Sequence, residues 1–419
     1  MAVQHAAGIC RRRSTCRLCG SGDLELVIAL VPTPPANAFV PAERKHEIQT
    51  RFPLDVFFCR ACTHVQLLDV VDPAMLFENY VYVSGTSPVF VRHFQEYAEA
   101  MLRRVGSARD KLIVDIGSND GTLLRFFAKA GCSVLGIDPA REIAGAATAS
   151  GIETLPEFLT PALANRIVLE RGRASIVTAN NVFAHVDDLG AVVDSVLAML
   201  DPDGLFAFEV SYLVDVVEKA LFDTIYHEHL DYHAVRPLVG FLARHGMQLI
   251  AAERVPSHGG SLRGIAQVAG GKRPVEASVA AALAVEAAMR LEQAETYREF
   301  SRRVDAVGRA LKDLLTRLKS EGKRIAGFGA PAKATTLMYQ FGIGPELVEF
   351  VVDDSPLKQS LFTPGMHIPV VSSAALAEHK PDYLVILAWN FAQPIIAKND
   401  AFRKAGGRFI VPLPTVEVY

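Results

Sequence analysis

The stretch that most restricts how this chain can fold runs from Leu112 to Leu124, Leu-Ile-Val-Asp-Ile-Gly-Ser-Asn-Asp-Gly-Thr-Leu-Leu. An apolar run of strand type ends in Asp115. A tight loop with Gly117, Asn119, Asp120 and Gly121 follows, and Thr122 to Ala130 reads as a helix. A strand that turns so sharply into a helix belongs at the carboxyl edge of a sheet, where backbone N–H groups and a helix N-terminus face a ligand. Asp115 and Asp120 add negative charge there, which disfavours a phosphate and suits a cationic or hydroxyl-bearing ligand. The next strand ends in Gly136-Ile137-Asp138, a second acid 18 residues beyond Asp120. A Gly-x-Gly-x-x-Gly pattern is missing from the loop, which counts against a dinucleotide.

Residues 110–250 alternate strand-like and helix-like stretches, with strands expected at 112–116, 133–137, 175–179, 205–209 and 247–253. Such alternation implies a mostly parallel sheet covered on both faces. Asn180, Asn181 and His185 follow the third strand and so reach the same carboxyl edge. The densest polar cluster is Phe222 to His233, with Tyr226, His227, Glu228, His229, Asp231, Tyr232 and His233 in eight residues. A metalloprotease spacing fails, because the second ligand after His227-Glu228 falls on Asp231. A metal site using His229 and His233 lacks a clear third ligand. Pro256 to Arg263, with His258 and two glycines, offers either a phosphate-holding loop or an ordinary hairpin turn. Residues 276–321 carry no proline and read as one or two long helices. A second α/β unit opens with Gly327, Gly329 and Lys333, again a strand, glycines and a helix start that suit an anion. Its later strands are expected at 348–352, 383–387 and 408–411, with Asp353, Lys358, Trp389 and Asn390 at their carboxyl ends.

Ahead of both units, residues 1–13 read as a tail. Cys16-Arg-Leu-Cys19 and Cys59-Arg-Ala-Cys62 each sit beside a short strand, expected at 24–30 and 54–58. Two such knuckles supply four thiolates to a tetrahedral zinc. A four-thiolate site has no open position and is structural, with residues 32–49 as an insertion. Cys10 and Cys132 are left over. Residues 72–90 read as a linker bearing Tyr80 and Tyr82, followed by a helix from about 91 to 104. The 419 residues suffice for two or three domains. The net charge of −3, with Arg11 to Arg13 the one concentrated basic run, makes nucleic acid an unlikely partner. Apolar runs stay short of the 18 or so residues of a membrane span, and the N-terminus lacks signal-peptide order. A cytoplasmic protein with no membrane contact is expected.

Taken in order, the paired Cys-x-x-Cys, Asp115-Ile-Gly-Ser-Asn-Asp-Gly121, Tyr226-x-Glu-His229, His258-Gly-Gly-x-x-Arg263 and Gly327-x-Gly-Ala-x-Ala-Lys333 resemble the three-domain S-adenosylmethionine-dependent sugar C-methyltransferases of branched deoxysugar biosynthesis. The resemblance covers Cys16 to about Pro414. It implies a small zinc-binding domain (1–75), a central class I, Rossmann-like methyltransferase domain (76–275) and a helical linker with a second α/β domain (276–419). It implies a nucleotide-diphosphate 4-keto sugar, thymidine-linked, as substrate, and a monomer is expected. Family catalytic positions fall on Tyr80, His185, Tyr226, Glu228 and His229. Asp115, Gly117, Asn119, Asp120, Gly121, Asp138, Asn180 and Asn181 would hold the methyl donor, with Asp138 on its ribose hydroxyls. His258, Arg263, Lys333, Asp353, Lys358, Trp389 and Asn390 would face the nucleotide sugar, Arg263 and Lys333 at the diphosphate. The chemistry explains the residue types. A ketone at C4 acidifies the C3 proton, and its removal needs a base, with His229 first and Glu228 as orienter or alternate. Two rivals stand beside this reading. One is an oxygen or nitrogen methyltransferase of the same build, which needs no such base. The other is a zinc-stapled binding protein with a degenerate donor site.

Overall fold

The computed structural model describes residues 9–77, 88–106, 109 and 111–419. The chain opens with β1 (Cys10–Arg12), β2 (Leu24–Ile28), β3 (Val56–Cys59), β4 (Val65–Leu67), β5 (Asp69–Val71) and a short helix α1 (Pro73–Phe77). β1 pairs with β5, while β2, β3 and β4 form an antiparallel sheet that places both cysteine knuckles at the β2–β3 end. Tyr80 and Tyr82 lie outside the described residues.

α2 (Pro88–Val105) leads into β6 (Leu112–Ile116), α3 (Thr122–Lys129), β7 (Ser133–Ile137), α4 (Arg141–Ala149), β8 (Thr154–Leu155), α5 (Pro161–Arg171), β9 (Ala174–Asn180), α6 (Leu189–Met199) and β10 (Leu200–Ser211). These strands are near-continuous apolar runs, and β9 is buried along all but its last residue, as a strand covered on both faces must be. They run parallel in the order β8-β7-β6-β9-β10. The chain steps from β6 to β7 on one side and reaches β9 on the other. The crevice of this sheet therefore opens beyond the carboxyl ends of β6 and β9.

Next come α7 (Leu213–Glu218), the two-residue β11 (Asp231–Tyr232), α8 (Val235–Arg244), β12 (Met247–Val255) and β13 (Ser261–Val268). β13 inserts between β10 and β12, antiparallel to both. Pro256 to Gly260 is thus a hairpin connection. Ser261 to Val268 was not expected as a strand, because Gly264 and Gln267 interrupt its apolar pattern. The glycine is needed there: a Cβ on Gly264 would lie 2.2 Å from the Phe208 ring on β10. β11 leaves the central sheet and pairs with β4 of the zinc module, Asp231 opposite Gln66 and Tyr232 opposite Val65.

Two helices, α9 (Ala277–Ala288) and α10 (Ala294–Ser320), join the halves. Glu286 of α9 is 1% exposed and caps α8, accepting the N–H groups of Val235 and Arg236 and the Tyr212 hydroxyl. The last unit comprises β14 (Ile325–Phe328), α11 (Ala332–Phe341), β15 (Val351–Val352), β16 (Val370–Val371), α12 (Ala375–His379), β17 (Tyr383–Ile386), α13 (Ala392–Lys398), α14 (Asp400–Lys404), β18 (Arg408–Val411) and β19 (Glu417–Val418). Its order is β16-β15-β14-β17-β18-β19, parallel except for β19. The strand expected at 348–352 shortens to two residues because the Val348 N–H closes a turn on the Gly344 carbonyl.

Candidate active site

At the end of β6 the backbone takes the left-handed region three times, at Gly117 (φ 67°), Asn119 (φ 51°) and Gly121 (φ 74°). Gly117 is sterically required, since a Cβ there would lie 2.2 Å from the Val182 side chain. The β6–α3 loop and the loop after β9 are therefore packed directly together. Asn119 turns its N–H onto Asp138 Oδ2 at 2.8 Å, and Ala140 N–H reaches the other oxygen at 2.9 Å. Asp138 is 7% exposed, and burial raises its pKa against those two donors. Asp115 accepts the Thr178 hydroxyl at 2.6 Å, and burial pushes its carboxyl up to about 7. Asp120 Oδ1 accepts the N–H and hydroxyl of Thr122 and so organises the start of α3. Asn181 is itself left-handed (φ 56°) and approaches His258 Nε2 at 3.2 Å. His258 also has positive φ, at 52°. Outlying backbone thus gathers at this edge, as it does where a ligand is held.

The segment from Phe222 to His233 lies beyond the same edge. The Tyr226 and His229 rings lie with centroids 4.1 Å apart, tilted by 36°, and His229 stacks on His185 at 5.0 Å. Phe77 covers the far face of His185 at 5.5 Å. His229 Nδ1–H donates to the Thr224 carbonyl at 2.7 Å, which leaves Nε2 as the nitrogen with the lone pair. Burial lowers the His229 pKa to about 4, and the Thr224 carbonyl pulls the other way. The residue as a whole is half-buried. The imidazole is neutral at neutral pH either way. Burial likewise drives His185 well below the ordinary histidine range, and its Nε2 makes no hydrogen bond to a described residue. Glu228 is 2% exposed and accepts the Asn37 side-chain amide at 2.9 Å.

This segment is anchored from three sides. β11 pairs with β4, and His64 Nε2 meets Asp231 at 2.6 Å. His227 Nε2–H donates to the Phe52 carbonyl at 3.2 Å. From the C-terminal unit, Trp389 Nε1–H donates to Asp223 at 2.6 Å, and Thr336 donates to the Ile225 carbonyl at 2.8 Å. His229 and His233 diverge rather than share a metal: His233 Nε2–H bonds the Phe183 carbonyl at 3.1 Å inside the core.

The other expected site residues fall into two groups. Arg263 stands directly opposite Glu209 in the β10–β13 pair and is ion-paired to it at 2.5 Å, with Glu253 at 3.5 Å. His93 of α2 holds the second oxygen of Glu209 at 2.7 Å. Lys333 lies 3.6 Å from Asp223 and over the Trp389 ring at 4.3 Å. Asp353 takes the Ala330 N–H at 2.6 Å, and Lys358 donates to the Ala330 carbonyl at 2.8 Å. Asn390 stands beside Trp389 with a buried Oδ1 that has no hydrogen bond to a described residue. Asn180 is half-buried at the end of β9, one residue before Asn181. Sequence reasoning passed over His93, Glu209, Asp223 and Asn37. Glu209 ends an apolar strand as Asp115 does, a usable signal; His93 and Asn37 carry none.

The four knuckle thiols come together with all Sγ atoms within 4.8 Å of one another. Cys16 and Cys62 are 3.6 Å apart, Cys19 and Cys59 3.5 Å. Four sulfurs at about 2.3 Å from one ion stand about 3.8 Å apart, so the set fits tetrahedral zinc. The knuckles close alike: Gly20 N–H bonds the Cys16 carbonyl and Thr63 N–H the Cys59 carbonyl, with φ of 74° and 67°.

Comparison with known proteins matches this layout. Family models match in sequence: a zinc binding domain over residues 16–77, a methyltransferase domain over 90–252 and a C-methyltransferase C-terminal domain over 256–414. The C-methyltransferase NovU of Streptomyces niveus is 37% identical over 410 residues, covering 98% of each chain. The ubiquinone biosynthesis O-methyltransferase of Bordetella avium is 30% identical over 105 residues, 25% of this chain and 44% of that one. Among solved structures, the magnesium protoporphyrin IX methyltransferase of Synechocystis PCC 6803 with bound SAM is 16% identical, with a TM-score of 0.32 over 42% of this chain and 80% of that one. The chain is an S-adenosylmethionine-dependent methyltransferase with a structural zinc site. It belongs to the three-domain sugar C-methyltransferase family that its motifs resemble.

Proposed function

We propose that this enzyme methylates C3 of a nucleotide-diphosphate-linked 4-keto-deoxysugar, thymidine-linked, through an enolate. The observation that supports it most is the ring-to-ring cluster of His185, His229 and Tyr226, packed at the sheet edge beside the donor loop. The α-carbon of a ketone has no lone pair and becomes a nucleophile only when its proton is removed, whereas a hydroxyl or amine already carries a lone pair. A neutral imidazole with a free lone pair is the group for that task.

His229 Nε2 takes the C3 proton, and the Thr224 carbonyl holds the Nδ1–H and so fixes the tautomer. Glu228 orients the imidazole or serves as alternate base. The C4 oxyanion is met by the Tyr226 hydroxyl and by His185, with Tyr80 assigned to the sugar by resemblance. The bound donor supplies an electrophilic sulfonium methyl. Asp138 would take the donor's ribose hydroxyls, with Gly117, Asn119, Asn180 and Asn181 around it. Asp115 and Asp120 supply the negative charge that suits a sulfonium. On the C-terminal side, Lys333, Lys358 and Asp353 surround the strand-to-helix turn at Gly329, and Trp389 and Asn390 stand beside them. We assign the diphosphate and nucleoside to that side. Arg263 contributes there only by giving up its pairing with Glu209, and His258 lies between the two sides.

The test is turnover with thymidine-diphospho-4-keto-6-deoxyglucose and S-adenosylmethionine in deuterium oxide. Exchange at C3 with methylation of that carbon, both lost in His229→Asn, is the expected result. Methyl recovered on oxygen, or C3 exchange unchanged in the variant, overturns the reading.

A further inference from the structure

We infer that Asn37, on the insertion between the two zinc knuckles, is a positioning residue of the active site that holds Glu228. The inference rests on the proposed reading of Glu228 and His229. Asn37 Nδ2 donates to Glu228 Oε1 at 2.9 Å, from 191 residues away in the chain. Glu228 is 2% exposed, and a carboxylate that deep requires donors from the protein.

The Asn37 turn is built to stay in place. Pro34 and Pro35 restrict the backbone leading into it. Ala38 N–H bonds the Pro35 carbonyl, and Phe39 N–H bonds that of Asn37. The Thr335 hydroxyl donates to the Ala36 carbonyl at 3.1 Å, and the adjacent Thr336 donates to the Ile225 carbonyl at 2.8 Å. Two consecutive residues of α11 therefore clamp the Asn37 turn and the Tyr226–His229 segment together. The zinc module thus reaches the carboxylate through Asn37, while the C-terminal unit holds the backbone on either side of that contact.

The residue type suits the task. An amide N–H donates to a carboxylate at a fixed angle and neither gains nor loses a proton near neutral pH. It orients Glu228 without competing for the proton that the reaction moves.

Asn37→Ala, Asn37→Asp and Asn37→Gln in the full-length, zinc-loaded protein test this, assayed with the 4-keto sugar above. Asn37→Ala is expected to lower kcat by about ten- to a hundredfold. The nearly isosteric Asn37→Asp should lower it further, because two carboxylates at hydrogen-bond distance repel. Asn37→Gln should recover part of the loss. KM should change by less than about threefold, donor affinity and zinc content should match the wild type, and any fall in Tm should be too small to account for the loss of kcat, since loss of orientation acts on the chemical step. Wild-type kcat in all three variants, or losses that only track Tm, overturns the inference. If Asn37→Asp fails to fold, the Ala and Gln variants decide. A wild-type enzyme that does not turn over the keto sugar overturns the proposed function, and this inference with it.

Discussion

At the scale of single residues, the two halves of the site rest on different physics. The half proposed for the methyl donor is held by backbone: Asn119 N–H and Ala140 N–H fix both oxygens of Asp138. Asp138→Ala should weaken S-adenosylmethionine binding by roughly 10- to 100-fold, the worth of hydrogen bonds to a charged group, and calorimetry measures it. Asp115, pushed up to about 7 by burial, is partly protonated at neutral pH. A cationic donor favours its ionised form, so binding should release a proton and weaken as pH falls below about 7. A calorimetric enthalpy independent of buffer would count against that coupling. The acceptor half depends on side chains. His229→Asn keeps a donor toward Thr224 but has no basic nitrogen. It should lower kcat by about 10²–10⁴ with donor affinity unchanged, and steady-state kinetics beside a binding isotherm separate the two.

At the scale of elements, β11 ties the zinc module to the segment that carries the proposed base, His229. Two residues of strand, His64 against Asp231, and the Phe52 carbonyl against His227 all lie within six residues of His229. Metal binding in such modules is folding free energy. Chelating the zinc, or Cys59→Ser, should lower Tm by roughly 5 °C or more and abolish C3 proton exchange. A zinc-depleted protein that still exchanges at the normal rate would show that β11 holds without the metal. The knuckles themselves were legible, since thiolate spacing is local chemistry. Their effect on His229 was not, because it runs through strand pairing between residues 65–66 and 231–232.

At the scale of the molecule, the junction of three units is held partly by buried neutral histidines. His227 and His233 are each no more than 1% exposed, and burial lowers both to about 4. Each gives its Nε2–H to a backbone carbonyl, and burial penalises a second proton on the ring. Their folded pKa lies below the unfolded value of about 6.5, so the unfolded chain takes up protons first as pH falls. Their stabilising contribution is full above that value and is lost between about 6.5 and 4, on the order of 1–3 kcal/mol each. Urea midpoints at pH 7.5 and 5.0, with zinc content checked at both, should show the decline. A flat profile would mean that these sites open before they charge.

The sequence by itself determined the elements whose cause is local. Asp115 to Gly121 is a strand-to-helix turn because its glycines and asparagine admit positive φ. β6, β7 and β9 follow from apolar runs with Ile, Val and Leu, and the thiol set follows from two Cys-x-x-Cys spacings. The tertiary structure decided what depends on partners far along the chain. It turned Pro256 to Gly260 into a hairpin, because Ser261 to Val268 found open edges on β10 and β12. It set Arg263 against Glu209 and His93, and Lys333 against Asp223. It brought Asn37 to Glu228 across 191 residues. Periodicity and spacing report what a residue does within its own element. A buried charge is satisfied by whichever donor the fold delivers, and that donor leaves no mark at its own place in the sequence.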